Sequence, residues 1–371
     1  MPTLTDASAL AVLDAPTTDL PSPSDVVAAG MRWHFSEATG SAFWLERKKR
    51  LPFDPINDIR TVENLTEFDD VSTDLRTTAL ADLIPKGSRD CVKRAPLVFE
   101  SSGTTGPPKR VPDLGSAWRN IKWYQSFLDG HGVPRARGDI LWLGPTGPHL
   151  AAYAAHVLAE LRGGSCFTVD ADPRWVKSCM REGRSDEADR YVGHLLDQAG
   201  WILSSQRISI LFTTPPLLKA MLTRPYLTDA VRTGVDAVLW GGASMDRHTR
   251  LVLKREVFAD IPVVGIYGNT LLGAAPERPV ATSDDADCIF QTFIPYSYVS
   301  IVDENTGNEV PYNQRGRFRV HRIDRDVFLP NVLERDSGVR VPPVAGYVGD
   351  GVANVRPLPT VGNARVIEGM Y

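Results

Sequence analysis

Short apolar runs, each closed by glycine, serine or proline, recur along the chain from about residue 95. The runs are rich in β-branched and aromatic residues and are too short for helices, which is typical of buried strands. Longer stretches with helical spacing lie between them, as in 116–132, 191–205 and 246–260. This alternation predicts an α/β fold with a largely parallel sheet, whose ligands bind at the carboxyl ends of the strands.

The sequence divides into three parts. Residues 1–25 are rich in Pro, Ser, Thr and Asp, which predicts a poorly ordered arm. Residues 26–284 contain the packing helices and the strand-like runs of the predicted α/β core. Residues 285–371 begin with segments that alternate apolar and polar side chains around turns, and this pattern predicts a small antiparallel β unit beside the main sheet.

Charge and composition exclude several classes of function. The net charge of −4 gives no electrostatic reason to expect a nucleic-acid partner. No run approaches the ~18 apolar residues of a membrane span, and the acidic start lacks the basic stretch of a secretory signal. The 4 cysteines are widely spaced without a C-x-x-C pair, which favours reduced thiols over zinc ligands or disulfides. We therefore expect a cytoplasmic protein without a structural metal, and the oligomeric state stays open.

The most informative motif is SSGTTGPPK at residues 101–109, directly after the strand-like PLVFE. Glycine permits close backbone approach, hydroxyl and N–H groups donate hydrogen bonds, and Lys109 adds positive charge. The segment is not a Walker A loop, because that spacing fits neither glycine. A plain flexible linker is the alternative, but linkers seldom follow a strand in this order. The motif predicts a loop that wraps phosphates, with Thr104, Thr105 and Lys109 contacting them.

This motif resembles the phosphate loop of the adenylate-forming superfamily, which comprises acyl-CoA synthetases, adenylation domains and luciferases. With Phe99 and Glu100 before it, the chain is most similar to the phenylacetate–CoA ligase branch. The resemblance implies the large N-terminal domain of that fold, with helix-flanked, parallel-rich sheets. It also implies that ATP, with Mg²⁺, activates a carboxylic acid to an acyl-adenylate and releases pyrophosphate. Further residues of the loop would contact the nucleotide: Ser101, Ser102, Gly103 and Gly106.

Three more segments follow in the order that the superfamily requires. LWGGAS at 239–244 resembles the turn whose backbone contacts adenine, and YGNT at 267–270 resembles the motif whose ring lies against the base. Gly349-Asp350 resembles the Gly-Asp pair whose carboxylate accepts the ribose hydroxyls. A plain turn, a core tyrosine and an exposed aspartate are the respective alternatives. The residues that the resemblance assigns to the nucleotide here are Gly241, Gly242, Ala243, Tyr267, Gly268, Asn269, Thr270 and Asp350.

The sequence departs from the superfamily pattern at the magnesium position. Leu271 stands where the motif usually has a metal-binding glutamate, so the metal ligand is unknown, and Glu277 is a nearby substitute. Either Arg335 or Arg340 would face phosphate. Family members continue into a mobile C-terminal domain whose lysine engages the carboxylate, whereas this chain ends near the hinge. From the Met1 start we expect a natural short form, with a truncated chain as the alternative.

The acyl pocket is predicted from the turn at 144–149, which follows a strand and opens a helix of small residues. His149, Tyr153 and Trp240 would shape a small flat cavity suited to an aryl acid, and His149 would touch the carboxylate or cap the helix. We expect the adenylate to pass to a small amine or hydroxyl acceptor in natural-product biosynthesis. An aryl-CoA ligase without its C-terminal domain, or a non-catalytic nucleotide-binding relative, is the alternative.

Overall fold

The structure is a computed structural model that describes residues 5–91, 95–101, 103, 106–135, 138–279, 287–358, 360–361 and 364–365. Its centre is a six-stranded sheet in which five strands are parallel and the last is antiparallel. In spatial order the strands are β4 (Cys166–Asp170), β3 (Ile140–Gly144), β5 (Ile210–Thr213), β6 (Ala237–Gly241), β7 (Val263–Asn269) and β8 (Gly273–Pro276). Each of β3, β5 and β6 is buried along its whole length, as the short apolar runs predict.

Helices cover both faces of this sheet. One face packs against α7 and α8, and the other packs against α9 to α12. The helices are α1 (Asp6–Leu13), α2 (Pro23–Phe35), α3 (Ala42–Lys48), α4 (Pro55–Asp58), α5 (Leu80–Leu83), α6 (Lys86–Cys91), α7 (Ser116–Gly130), α8 (Leu150–Leu161), α9 (Pro173–Arg181), α10 (Ser185–Ser205), α11 (Pro215–Leu222), α12 (Pro225–Gly234) and α13 (Arg247–Val252). No helix in the described ranges is long and apolar enough to cross a membrane.

A second, antiparallel sheet follows residue 287 and confirms the predicted β unit. Its strand order is β10-β11-β12-β13-β9, and the long β12 pairs with β11 and β13. These strands are β9 (Ile289–Phe290), β10 (Ser297–Val302), β11 (Arg315–Ile323), β12 (Phe328–Val341) and β13 (Gly351–Pro357). The remaining four strands form two separate antiparallel pairs. One pairs β1 (Leu97–Glu100) with β2 (Arg110–Asp113), and the other pairs β14 (Thr360–Val361) with β15 (Ala364–Arg365).

The N-terminal segment differs from the poorly ordered arm that composition predicts. Helix α1 begins after Thr5, whose side chain accepts a hydrogen bond from the Ser8 backbone N–H. Leu13 is fully buried in the core beneath α2. The carbonyl of Val12 also accepts a 2.9 Å hydrogen bond from the Tyr296 hydroxyl. Apolar burial and long-range hydrogen bonds thus order a segment whose composition alone favours disorder.

Candidate active site

A cavity of about 430 Å³ lies at the carboxyl ends of the central strands. The turns after β3, β6 and β7 form one wall, and β12 and β13 of the antiparallel sheet form the opposite wall. Twelve of the residues predicted for the site line this cavity: Ser101, Gly103, Lys109, His149, Trp240, Gly241, Gly242, Ala243, Tyr267, Gly268, Asn269 and Thr270. The sheet topology therefore gathers motifs that are far apart in sequence.

The predicted phosphate loop connects β1 to β2 at the edge of this cavity. Its ends are tied together, because the Ser101 N–H donates to the Lys109 carbonyl at 2.9 Å and the Lys109 N–H donates to Ser101 Oγ at 2.9 Å. Gly103 and Gly106 have φ of +68° and +133°, a region that favours glycine. Gly106 lies beside Arg76 rather than on the cavity lining. Three predicted members of the loop lie outside the described residues: Ser102, Thr104 and Thr105.

Lys109 points across the cavity to the antiparallel sheet. Its Nζ lies 3.3 Å from Oε1 of Glu334 on β12, and both side chains are largely buried. The second carboxylate oxygen of Glu334 accepts the backbone N–H of Arg335 at 3.2 Å. A carboxylate and the loop lysine therefore share one corner of the cavity, a pairing that sequence analysis did not anticipate.

The two adenine motifs lie side by side at the ends of β6 and β7. A Cβ at Gly241 would come within 2.5 Å of the Ile266 carbonyl oxygen, so only glycine fits where these strands end. The Tyr267 hydroxyl donates to Asp336 Oδ2 at 2.6 Å. Burial, and then the Asp336 carboxylate, raise the pKa of Tyr267 well above its usual value, so the hydroxyl stays protonated. Thr270 Oγ1 donates to the Glu100 carbonyl at 3.0 Å and joins the second motif to the phosphate loop.

The structure does not bring Asp350 to the cavity, contrary to the sequence prediction. Asp350 accepts hydrogen bonds from Arg340 Nε at 2.6 Å and from the Tyr312 hydroxyl at 3.3 Å, outside the lining. Arg340 also pairs with Glu309, whereas Arg335 lines the cavity. Asp336 lines the cavity instead, together with its neighbours Glu334 and Arg335 on β12.

Glu277 does not line the cavity, so it is no substitute for the glutamate that Leu271 replaces. Its fully buried carboxylate pairs with Arg250 and accepts the Gly265 N–H at 2.8 Å. One oxygen is thus committed to an ion pair with Arg250 of α13, and the other to the backbone of Gly265 on β7. Within the described ranges there is no group of three or more His, Cys, Asp or Glu side chains suited to a metal ion.

The residues predicted for the acyl pocket separate in space. His149 lines the cavity, and burial, followed by the charge of Arg174, lowers its pKa and keeps the imidazole neutral at pH 7. Tyr153 instead packs its ring 5.6 Å from that of Phe99 and is absent from the lining. Trp240 belongs to the core on the α9–α12 face. Apolar residues that sequence analysis missed line the α8 face beside His149: Trp142, Phe212, Ile266, Ala151 and Ala154.

Sequence analysis also missed several cations that line the cavity. Lys177 on α9 is one of them, and burial, followed by the charges of Arg335 and Arg174, lowers its pKa to about 8. Arg174 and Lys177 are three residues apart, so both lie on one face of α9. This spacing predicts a cavity residue only when α9 is known to border the cavity. The other such cations are Arg76, Arg247, Arg250, Arg317 and Arg356.

Comparison with known proteins supports the architecture. No family model and no curated protein sequence matches the chain. Among solved structures, 2-hydroxyisobutyryl-CoA ligase in the postadenylation state with R3-HIB-AMP matches with a TM-score of 0.64 at 14% identity, over 93% of this chain and 69% of that one. The same ligase with 2-HIB-AMP and CoA in its thioesterification state matches with a TM-score of 0.64 at 13% identity, over 94% and 70%. At such identities the likeness shows a shared fold.

Proposed function

We propose that this chain, whose fold is that of the adenylate-forming superfamily, activates a small carboxylic acid with ATP to an acyl-adenylate and releases pyrophosphate. One observation carries the proposal: a single cavity joins the Ser101–Lys109 loop to the Gly241–Ala243 turn and Tyr267. Such a cavity offers backbone amides and a cation for phosphates next to an aromatic ring for a purine. The protein's part in this reaction is to position two ligands and neutralise charge.

The nucleoside would lie along the ends of β6 and β7. We assign adenine to the Gly241–Ala243 backbone and to Tyr267, with Gly268 and Asn269 beside it. For the ribose hydroxyls we propose Asp336 in place of Asp350, because Asp336 lines the cavity, Asp350 does not, and a carboxylate accepts hydrogen bonds from a diol. The Tyr267 hydroxyl already holds one oxygen of that carboxylate and fixes its orientation.

The phosphates would lie against the β1–β2 loop, and we assign their binding to Lys109, Thr104 and Thr105. Magnesium is usually bound by one or two carboxylates together with substrate phosphates. Glu334 fits this requirement, because its carboxylate lies 3.3 Å from the loop lysine in the same corner of the cavity. The ion would supply charge neutralisation on the phosphate oxygens.

An aryl acid fits the opposite end of the cavity. Trp142 and Phe212 offer flat apolar surface, Ile266 adds an aliphatic side chain, and Ala151 and Ala154 of α8 leave room for a ring. We therefore propose an aryl substrate, while kinship with the phenylacetate–CoA ligase branch rests on the 99–109 motif alone. A long fatty chain would need a tunnel rather than a short apolar pocket.

For the second step we propose capture of the adenylate by a small amine or hydroxyl compound. A neutral imidazole is able to accept the proton that such a nucleophile loses, and His149 is neutral and lines the cavity. The adenylate would thus meet its acceptor beside the only histidine that the described lining contains.

The test is acid-dependent pyrophosphate release with hydroxylamine as the trap, across benzoates, hydroxyanthranilates, phenylacetates and fatty acids. We expect a hydroxamate from an aryl acid, and then, without hydroxylamine, amide or ester formation with amines and alcohols. Robust thioester formation with CoA would overturn the acceptor proposal alone. ATP binding without pyrophosphate release from any acid would instead indicate a non-catalytic nucleotide-binding protein.

A further inference from the structure

We propose that the ion pair between Lys109 and Glu334 makes the site selective for nucleotide that carries a divalent cation. Lys109 is released to the phosphates when such a cation takes its place beside Glu334, and free nucleotide brings no cation with it. The inference rests on the proposed function and deepens it, because it gives Glu334 a role in choosing between two forms of the same substrate.

A bulge in β12 brings three consecutive residues to the cavity. Arg319 of β11 pairs with Leu333 of β12. The next pair in the register is Arg317 with Ser337, so one residue of β11 lies opposite residues 334–336 of β12. All three of these residues line the cavity, whereas consecutive side chains of a regular strand point to opposite faces. Bulges re-aim side chains and are frequent beside active sites, so this backbone presents the segment to a ligand.

Arg317 holds the bulge through its backbone. The Arg317 Nε donates to the Glu334 carbonyl at 2.7 Å, and its Nη2 donates to the Leu333 carbonyl at 3.3 Å. These hydrogen bonds satisfy carbonyl groups at a place where the register of the ladder is broken. The position of Glu334 is therefore fixed by the backbone as well as by its ion pair.

The ion pair itself is close and largely buried. Lys109 Nζ lies 3.3 Å from Glu334 Oε1, and the two side chains are 14% and 10% exposed. The other carboxylate oxygen of Glu334 accepts the backbone N–H of Arg335 at 3.2 Å. The backbone of Lys109 is held by its two hydrogen bonds with Ser101. In such surroundings each charge depends on the other, because a buried charge without a partner is costly.

Phosphate binding competes with this ion pair. Lys109 is the cation that the proposed function assigns to phosphate, and a lysine that turns to phosphate leaves the Glu334 carboxylate beside a polyanion. Like charges at short range repel strongly in a partly buried site. A divalent cation held by one carboxylate and by phosphate oxygens compensates both groups. Free nucleotide must therefore break the pair without a replacement, whereas the magnesium complex exchanges one cation for another.

The first experiment measures binding without turnover. The full chain is titrated in a calorimeter with α,β-methylene-ATP, whose α–β bond cannot be cleaved, in Mg²⁺ and again in EDTA. We expect the wild type to bind the magnesium complex at least about 10-fold more tightly than the free nucleotide, since an uncompensated buried carboxylate opposes the latter. Equal affinity in the two conditions would overturn the inference and leave the proposed function standing. No binding in either condition would overturn both.

Two substitutions on the same strand separate the cation from the nucleotide. Glu334→Gln should bring the two affinities to within about threefold, because no carboxylate then needs a cation when Lys109 turns to phosphate. The change should come mainly from tighter binding of the free nucleotide. Asp336→Asn is the matched comparison, and it should weaken both forms alike, since the proposed ribose contact is the same in each. A wild-type ratio in Glu334→Gln, or a lost ratio in Asp336→Asn, would overturn the inference.

The second experiment reads the cation directly. The Mn²⁺ complex of the same analogue is bound to the protein in ¹⁷O-labelled water, and the broadening of its electron paramagnetic resonance lines counts the water ligands of the ion. Glu334→Met, which removes both carboxylate oxygens, should hold one more water than the wild type, because solvent replaces a lost carboxylate ligand. Asp336→Asn should keep the wild-type count. The same count in Glu334→Met as in the wild type would overturn the inference.

Discussion

The Tyr267 hydroxyl donates a 2.6 Å hydrogen bond to Asp336 Oδ2 and thereby joins the end of β7 in the central sheet to β12 in the antiparallel sheet. The two residues are 69 positions apart in the chain. Asp336 lies on the cavity lining, and this bond fixes the orientation of its carboxylate. A site built across two sheets in this way depends on their packing as much as on either motif.

Substitution of this carboxylate should weaken nucleotide binding. Hydrogen bonds to charged groups contribute about 1.5–3 kcal/mol, so we expect Asp336→Asn to lower ATP affinity by roughly 10- to 100-fold in calorimetry. The amide oxygen still accepts from Tyr267, which preserves the fold. Asp350→Asn is the control and should change affinity less than about threefold. The reverse ranking of the two variants would return the ribose assignment to Asp350.

The contact between β6 and β7 predicts that Gly241 tolerates no side chain. Gly241→Ala would place a Cβ 2.5 Å from the backbone oxygen of Ile266, so a strand must shift. We expect a loss of about 1–3 kcal/mol in the free energy of unfolding, measured by urea denaturation. Gly234→Ala, whose Cβ would meet nothing within 4 Å, should be neutral or slightly stabilising. Equal effects of the two changes would contradict the close approach.

The buried ion pair of Glu277 and Arg250 should matter for stability rather than for metal binding. Removing one partner of a buried pair costs about 3–5 kcal/mol, so Glu277→Gln should lower the thermal midpoint strongly, with or without Mg²⁺. The exposed pair of Asp229 and Arg232 offers the matched comparison, and Asp229→Asn should cost less than about 1 kcal/mol. A stable Glu277→Gln protein with weakened magnesium dependence would place Glu277 at the metal instead.

Asp113 should make stability depend on pH. Burial, followed by the charge of Asp326, raises the pKa of Asp113 to about 6 from 3.8. The folded state then holds a proton that the unfolded state has released, so this group's contribution to stability is lost as pH rises from about 4 through 6. Asp113→Asn removes the titration and retains an oxygen for the Ala117 N–H, which Asp113 Oδ1 accepts at 2.7 Å.

We therefore expect Asp113→Asn to gain stability relative to wild type as pH rises from 4 to 7, by about 3 kcal/mol at most, since one pKa unit is worth about 1.4 kcal/mol. Urea midpoints at several pH values measure this difference. A difference between variant and wild type that stays constant across the range would show that Asp113 titrates normally.

The fold could be predicted from the sequence because each central strand is a short apolar run. The helices that cover the sheet show apolar residues at helical spacing. β3 and β6 are buried on both faces, so their sequences differ plainly from those of surface strands. Helix α1 could not be predicted from the sequence, because it is ordered by the burial of Leu13 and by a hydrogen bond from Tyr296 in a distant part of the chain.

Site residues could be predicted from the sequence only where a local backbone motif marks them. Gly241–Ala243 and Tyr267 were predicted from local patterns that require glycine or an aromatic ring. Asp350 was assigned from a Gly-Asp pair, which is a common turn, and it lies outside the cavity lining that includes Asp336. Lys177 carries no local motif, so its position depends entirely on how α9 packs.

Trp240 and Trp142 lie on opposite faces of the central sheet although both reach the same cavity. The acyl half of an acyl-adenylate would lie on the α8 face of the sheet, whereas the residues proposed for the nucleotide half lie at the strand ends and on β12. Selectivity for the acid could be redesigned on the α8 side, at Ala154 or Phe212, while the nucleotide half is left untouched. Because the α8 face of the sheet carries the residues proposed for the acid, a change of acid substrate there is expected to leave the affinity for ATP unchanged.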